Sequence, residues 1–212
     1  MLDRRLTALI KPAIESLASL LLRCRIGADQ LTVAGFVIGL VAALCIANGS
    51  YVAGLVAILI SRLCDALDGA VARLRRPTDR GGFMDIVFDF LFYAAIPLAF
   101  AWAHPSSNAL AAAFLLASFI GTGSSFLAFA ALAAKRGITS LTYPDKSFYF
   151  LGGLTEATET IAIFIAMCLW PEYFSVLAFG FGLLCLLTTG TRIWWARHAL
   201  RDPDTVPDRT KP

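Results

Sequence analysis

The 212-residue chain is 58% hydrophobic and 16% charged, with a mean hydropathy of +0.72. A soluble domain carries about 25% charged residues, so this composition belongs in a bilayer. A net charge of +3 is too small to argue for nucleic acid, and five scattered cysteines without metal-ligand spacing argue against a disulfide framework or a thiolate metal site.

The N-terminal stretch, residues 1–26, spaces its charges (Asp3, Arg4, Arg5, Lys11, Glu15, Arg23, Arg25) between apolar residues at helical intervals (Leu2, Leu6, Ile10, Ile14, Leu17, Leu21). That pattern predicts an amphipathic helix lying on the membrane surface rather than an exported leader. Six apolar segments follow, at residues 31–48, 51–72, 82–103, 108–134, 147–170 and 173–196. Each has the ~20 residues a helix needs to cross the hydrocarbon core. The expected fold is therefore an all-α membrane protein, an N-terminal amphipathic surface helix plus six transmembrane helices. It forms a single domain over residues 1–200, with a polar tail over 201–212 expected to be disordered. Lys and Arg concentrate at the N-terminus, after segments 2 and 4, and at the C-terminal end, and the loops after segments 1, 3 and 5 have none. The positive-inside rule then puts both termini on the cytoplasmic side of the inner membrane.

Segments 2 and 3 carry the chemistry. Asp65 and Asp68 end one, Asp85 and Asp89 begin the next, and a short basic loop joins them. Spacings of three and four residues put each pair on one helix face, so an antiparallel hairpin brings the four carboxylates together near the cytoplasmic interface. Carboxylates at this depth are costly and mutually repulsive, which makes them a candidate functional site needing a cation. Oxygen ligands without His or Cys favour Mg²⁺, Mn²⁺ or Ca²⁺ over zinc, and four carboxylates suggest two ions, or one ion plus a free base; the expected cofactor is Mg²⁺ or Mn²⁺, as two ions. A divalent ion of this kind points to phosphoryl-type transfer. Gly69 offers a close approach to the backbone, and Arg73, one turn on, offers a forked donor for a phosphate. Arg62, one turn before Asp65, is expected to pair with a carboxylate.

The run Asp65-x2-Asp68-Gly69-x2-Ala72-Arg73, then Gly81-x3-Asp85-x3-Asp89, resembles the signature of the CDP-alcohol phosphatidyltransferase family. The resemblance extends to the surface helix and six spans. It implies Asp65, Asp68 and Asp85 as metal ligands, with Asp89 also facing the metal site and acting as general base. It further implies Gly69, Ala72 and Arg73, beside Asp68, as a nucleotide site. The reaction it implies moves a phosphatidyl group from a CDP-linked lipid (CDP-diacylglycerol) to an alcohol acceptor and releases CMP, in phospholipid biosynthesis by a homodimer. The chain departs from the family at three places. Residues 74–80 make a spacer of seven where eight or nine are usual. Ala28-Asp29-Gln30-Leu31-Thr32 stands where a Pro-Asn pair is common, which leaves Asp29 and Thr32 as candidate nucleotide contacts. Ser125-Phe126-Leu127-Ala128-Phe129-Ala130 lacks both arginines of the Ser-Tyr-x-Arg-Ala-Arg run often found with phosphorylated polyols.

Candidate acceptor-binding residues are Ser125, Lys135, Arg136, Glu156, Glu159 and Arg192. Carboxylates without arginines fit an unphosphorylated or amino alcohol. Two other classes fit paired aspartates: an intramembrane Mg²⁺-dependent prenyltransferase, releasing pyrophosphate instead of CMP, and a divalent-cation transporter, whose carboxylates would line a path open to both faces.

Overall fold

The computed structural model describes residues 2–136, 155 and 157–200, with side chains from residue 11 onward. Seven α-helices account for nearly all of the described chain: α1 (Leu2–Arg23), α2 (Ala28–Ala47), α3 (Tyr51–Leu74), α4 (Asp79–Ala103), α5 (Pro105–Lys135), α6 (Ala157–Leu169) and α7 (Phe174–Ala199), the last entered through a 3₁₀ turn at Pro171–Tyr173. Among the described residues there is no strand.

Four helices, α2, α4, α5 and the segment Pro171–Ala199, are long and apolar enough to cross a membrane. Helix α3 has the length, at 24 residues, but carries Arg62, Asp65, Asp68 and Arg73. The described part of α6 is apolar and has 13 residues. Boundaries differ from the sequence expectation where local chemistry overrides hydropathy. Helix α5 starts at Pro105 rather than 108, because proline at the first helical position has no N–H to leave unsatisfied. Helix α4 starts at Asp79 rather than 82, because Thr78 caps it: its Oγ1 accepts the Gly81 N–H at 3.1 Å. Glu156 and the tail 201–212 lie outside the described residues.

Short turns set the topology. Asn48–Ser50 reverses the chain between α2 and α3, with Gly49 at φ +76°, a region a side chain disfavours. Residues 75–78 reverse it again, so the end of α3 and the start of α4 lie together. Helix α2 packs against both α3 and α4, and α5 packs against α4 and α7. Helix α1 leans on α3, burying Ile14 and Ala18 against Leu67, Ala70 and Val71.

The far end of the bundle is a dry aromatic core. Tyr51, Phe100 and Phe174 stack in sequence, with centroids 5.6 and 4.6 Å apart, and Phe92, Phe119 and Phe164 meet edge to face below them. Near the other end, α2 approaches α3 and α4 closely through Gly35 and Gly39, one turn apart. A Cβ on Gly35 would lie 3.0 Å from the Cys64 Cβ and 3.3 Å from the Ser61 carbonyl; one on Gly39 would lie 2.7 Å from the Phe92 ring. Small residues at this interval are the usual means of close helix approach in a bilayer. The buried Ser61 hydroxyl uses it to donate to the Gly35 carbonyl at 2.8 Å.

Replacing Gly39 by leucine should therefore destabilise the bundle by about 1–3 kcal/mol, the usual cost of overpacking. Gly180, whose Cβ position meets nothing within 4 Å, is the control. Thermal unfolding in detergent should show a lower Tm for Gly39→Leu and an unchanged or higher one for Gly180→Ala.

Candidate active site

The α3–α4 hairpin and the start of α2 enclose an acidic cleft lined by Thr32, Gly35, Phe36, Arg62, Asp65, Asp68, Asp85, Phe88 and Asp89. Helical periodicity does the positioning. Asp65 and Asp68 project from the last turns of α3, Asp85 and Asp89 from the first turns of α4, and the tight turn sets the two pairs face to face. One carboxylate oxygen from each of Asp65, Asp68 and Asp85 lies within 4.8 Å of the other two. Asp68 is buried, and its Oδ2 has no hydrogen-bond partner. A buried oxygen left unsatisfied is expensive unless a cation completes it. The donor set is hard oxygen throughout, so the three residues fit a Mg²⁺- or Mn²⁺-type ion.

Asp89 is placed differently. Its Oδ1 accepts a hydrogen bond from Arg62 Nη1 at 2.6 Å, and the same nitrogen lies 3.6 Å from Asp65 Oδ1. The carboxylate partner expected for Arg62 is thus principally Asp89, across the helix pair. Phe36 and Phe88 stack at 4.4 Å over the cleft and limit its size.

A larger groove of about 400 Å³ adjoins the cleft and shares Thr32, Asp68 and Asp85 with it. The candidate nucleotide residues Asp29, Thr32, Asp68, Gly69 and Ala72 all line it. Arg73 does not. It is exposed and folds back over Gly69, with Nη1 3.3 Å from where a Cβ at 69 would stand. Arg75 and Arg76, two of the basic residues after segment 2, line the groove instead. Asp29 Oδ2 lies 3.7 Å from Arg80 Nε, which links the start of α2 to the α4 turn at the groove mouth. Density of arginine alone could not separate these roles, because the four arginines of the loop differ only in the direction the turn gives each one.

The candidate acceptor residues among the described ones, Ser125, Lys135, Arg136, Glu159 and Arg192, do not line the cleft. Ser125 and Arg192 share a small pocket between α5 and α7 with Phe126, Phe129 and Trp195. Ser125 Oγ donates to the Thr122 carbonyl at 3.0 Å, and so does Arg192 Nη1, also at 3.0 Å. The Arg192 guanidinium lies 5.6 Å from the Phe126 ring centroid. Lys135 is exposed at the end of α5, and Arg136 donates to the Leu200 carbonyl at 2.8 Å, tying the ends of α5 and α7. Glu159 is half-buried in the first turn of α6. The sequence signal for the close approach beside the cleft is the pair Gly35 and Gly39, glycines four residues apart in an apolar segment; Ser61 carries no such signal.

The family model for CDP-alcohol phosphatidyltransferases matches residues 25–196. The chain belongs to this family. It is a transferase by that membership, and the prenyltransferase and transporter alternatives give way. The chain is 55% identical over 194 residues to the inner membrane protein YnjF of Escherichia coli K12, covering 92% of this chain and 94% of that one. It is 43% identical over 70 residues to the archaetidylinositol phosphate synthase of Methanothermobacter thermautotrophicus, covering 32% of this chain and 36% of that one. Its fold is shared with the Mycobacterium tuberculosis phosphatidylinositol phosphate synthase PgsA1, solved with CDP-DAG bound. There the TM-score is 0.64 at 20% identity, covering 86% of this chain and 92% of the other.

The repulsion among Asp65, Asp68 and Asp85 yields a direct test. In chelator, Asp68→Asn should melt at or above the temperature of the unchanged protein. Saturating Mn²⁺, at about a hundred times its Kd, should stabilise the unchanged protein by about 2.7 kcal/mol and the variant by much less. A thermal shift series with and without Mn²⁺ measures both.

Proposed function

We propose that the protein moves a phosphatidyl group from CDP-diacylglycerol to the hydroxyl of an alcohol and releases CMP, as an enzyme of phospholipid synthesis. One observation carries this reading. Three carboxylates converge within 4.8 Å at the inner end of a 400 Å³ groove lined by Gly69, Ala72 and two arginines, a shape and charge suited to a nucleoside diphosphate.

Asp65, Asp68 and Asp85 would hold a Mg²⁺ or Mn²⁺ ion. When bound, that ion neutralises charge on the diphosphate oxygens as the bond to CMP breaks. The protein's own groups do the rest. Gly69, covered only by the flexible end of Arg73, and the small Ala72 let the nucleotide reach the backbone of α3 once that side chain moves aside, and Arg75 and Arg76 supply positive charge along the groove. Asp89 accepts the proton of the acceptor hydroxyl, whose oxygen then bonds to the β-phosphorus, and CMP departs with the electron pair of the broken P–O bond. The stacked Phe36 and Phe88 limit water in the cleft, which favours transfer over hydrolysis.

In this reading α1 lies on the cytoplasmic surface of the inner membrane, and α2 to α7 are the six spans of one domain that works as a homodimer. The buried face of α1 and the inner-membrane relative support it. The acceptor is an unphosphorylated or amino alcohol. Arg192, an arginine near the family's acceptor run, is engaged with the Thr122 carbonyl and the Phe126 ring, and residues 125–130 carry no arginine.

Purified protein given CDP-diacylglycerol, Mn²⁺ and a panel of alcohols should release CMP, and chelation should stop it. A strict preference for glycerol 3-phosphate would overturn the acceptor assignment. Asp89→Asn should lower kcat by about 10²–10⁴-fold and largely spare CDP-lipid binding. Equal losses in binding and rate would make Asp89 a metal ligand instead.

A further inference from the structure

Among the described residues that line the acidic cleft, Arg62 is the one that carries positive charge. It stands on α3 one turn before Asp65, with only 16% of its side chain exposed. Its Nη1 reaches Asp89 Oδ1 at 2.6 Å and Asp65 Oδ1 at 3.6 Å. Its Nη2 donates to Ser61 Oγ at 3.3 Å, and its guanidinium carbon lies 4.0 Å from the Phe92 ring centroid.

Two of these four contacts do not involve a carboxylate. Phe92 is fully buried, and Ser61 is itself tied to the Gly35 carbonyl at 2.8 Å. The guanidinium is therefore held by the apolar bundle and by α2 as well as by charge. The aspartates divide around it. Asp65, Asp68 and Asp85 present oxygens to one another within 4.8 Å, whereas Asp89 presents its nearest oxygen to Arg62. Asp65 belongs to both groups.

We propose that Arg62 is a built-in second cation of the site. Its guanidinium sits between Asp89 and Asp65, where a second divalent ion would otherwise be needed to offset those charges. Of the two readings that four carboxylates allow, the chain then takes the one-ion form: a single divalent ion at Asp65, Asp68 and Asp85, with Asp89 held apart from it by Arg62. Arg62 also acts as a positioning residue: a short charge-assisted hydrogen bond fixes one Asp89 oxygen and leaves the other to face an acceptor hydroxyl. A side chain cannot dissociate as an ion can, so Asp89 is held whether or not metal is present.

This inference deepens the transferase reading and rests on it, and metal stoichiometry separates the two. Mn²⁺ is titrated into the purified, detergent-solubilised full chain, and bound ions are counted by calorimetry and by electron paramagnetic resonance. The expected result is one Mn²⁺ per chain with the spectrum of an isolated ion. Arg62→Gln should bind a second Mn²⁺ and show the spectrum of an exchange-coupled pair. Arg62→Lys, which keeps the charge, should stay at one. Two ions on the unchanged protein would overturn the proposal while leaving the transferase reading intact, and that measurement stands even if Arg62→Gln does not fold. One ion on Arg62→Gln would overturn it too. Absence of both Mn²⁺ binding and CMP release would remove the transferase reading itself.

Discussion

Like charges brought close together in a poorly solvated bundle repel. At an effective dielectric constant of about 20, two carboxylates about 5 Å apart cost roughly 3 kcal/mol. Asp65, Asp68 and Asp85 are gathered at this range, and Asp89 stands beside them. Everything around the cleft serves to hold that arrangement or to offset it. Ser61 and the two glycines of α2 lock the helices at close range, Thr78 fixes where α4 begins, and Arg62 supplies positive charge across the pair. Removing a partner from such a group costs more than the pair contributes, because the remaining charge stays behind without compensation.

The two ends of the bundle are built on opposite principles. At the far end, stacked and edge-to-face aromatic rings fill the space between the helices. At the near end, the turn after α3 and the start of α2 leave a groove bordered by arginines and small residues. A packed apolar anchor beneath a polar mouth holds the carboxylates of the cleft in place. The lining of the groove also explains the basic turn between α3 and α4. Two of its arginines, Arg75 and Arg76, line a groove whose charge suits a phosphate group.

The fold was readable to the extent that it depends on local periodicity. Helices α2 to α5 and α7 emerge from apolar runs of the right length, whereas the starts of α4 and α5 lie three residues earlier than hydropathy alone places them, where Thr78 caps and Pro105 opens a helix. The grouping of the aspartates was readable for the same reason, since spacings of three and four and a short turn leave a hairpin few ways to place them. Where sequence reasoning stopped short was in telling apart residues of identical type. Arg73 lies over Gly69, Arg75 and Arg76 face the groove, and Arg80 approaches Asp29. Nothing in the order of the letters separates these fates. They depend on the rotation of α3 at its last turn and on the start of α2, which lies more than forty residues away in the chain.

By itself the sequence determined the class of the molecule: an all-helical chain with bilayer composition, a hairpin bearing four carboxylates, and a motif that names its family. Those properties follow from composition and from intervals shorter than two helical turns, so no knowledge of packing is required. Only the tertiary structure decided that three of the aspartates cluster while the fourth pairs with Arg62, and that Ser125 and Arg192 sit in a pocket of their own between α5 and α7. Those outcomes depend on how closely separate helices approach and at what rotation. That approach is governed by side chains as small as the hydrogen of Gly35, whose contacts lie on another helix.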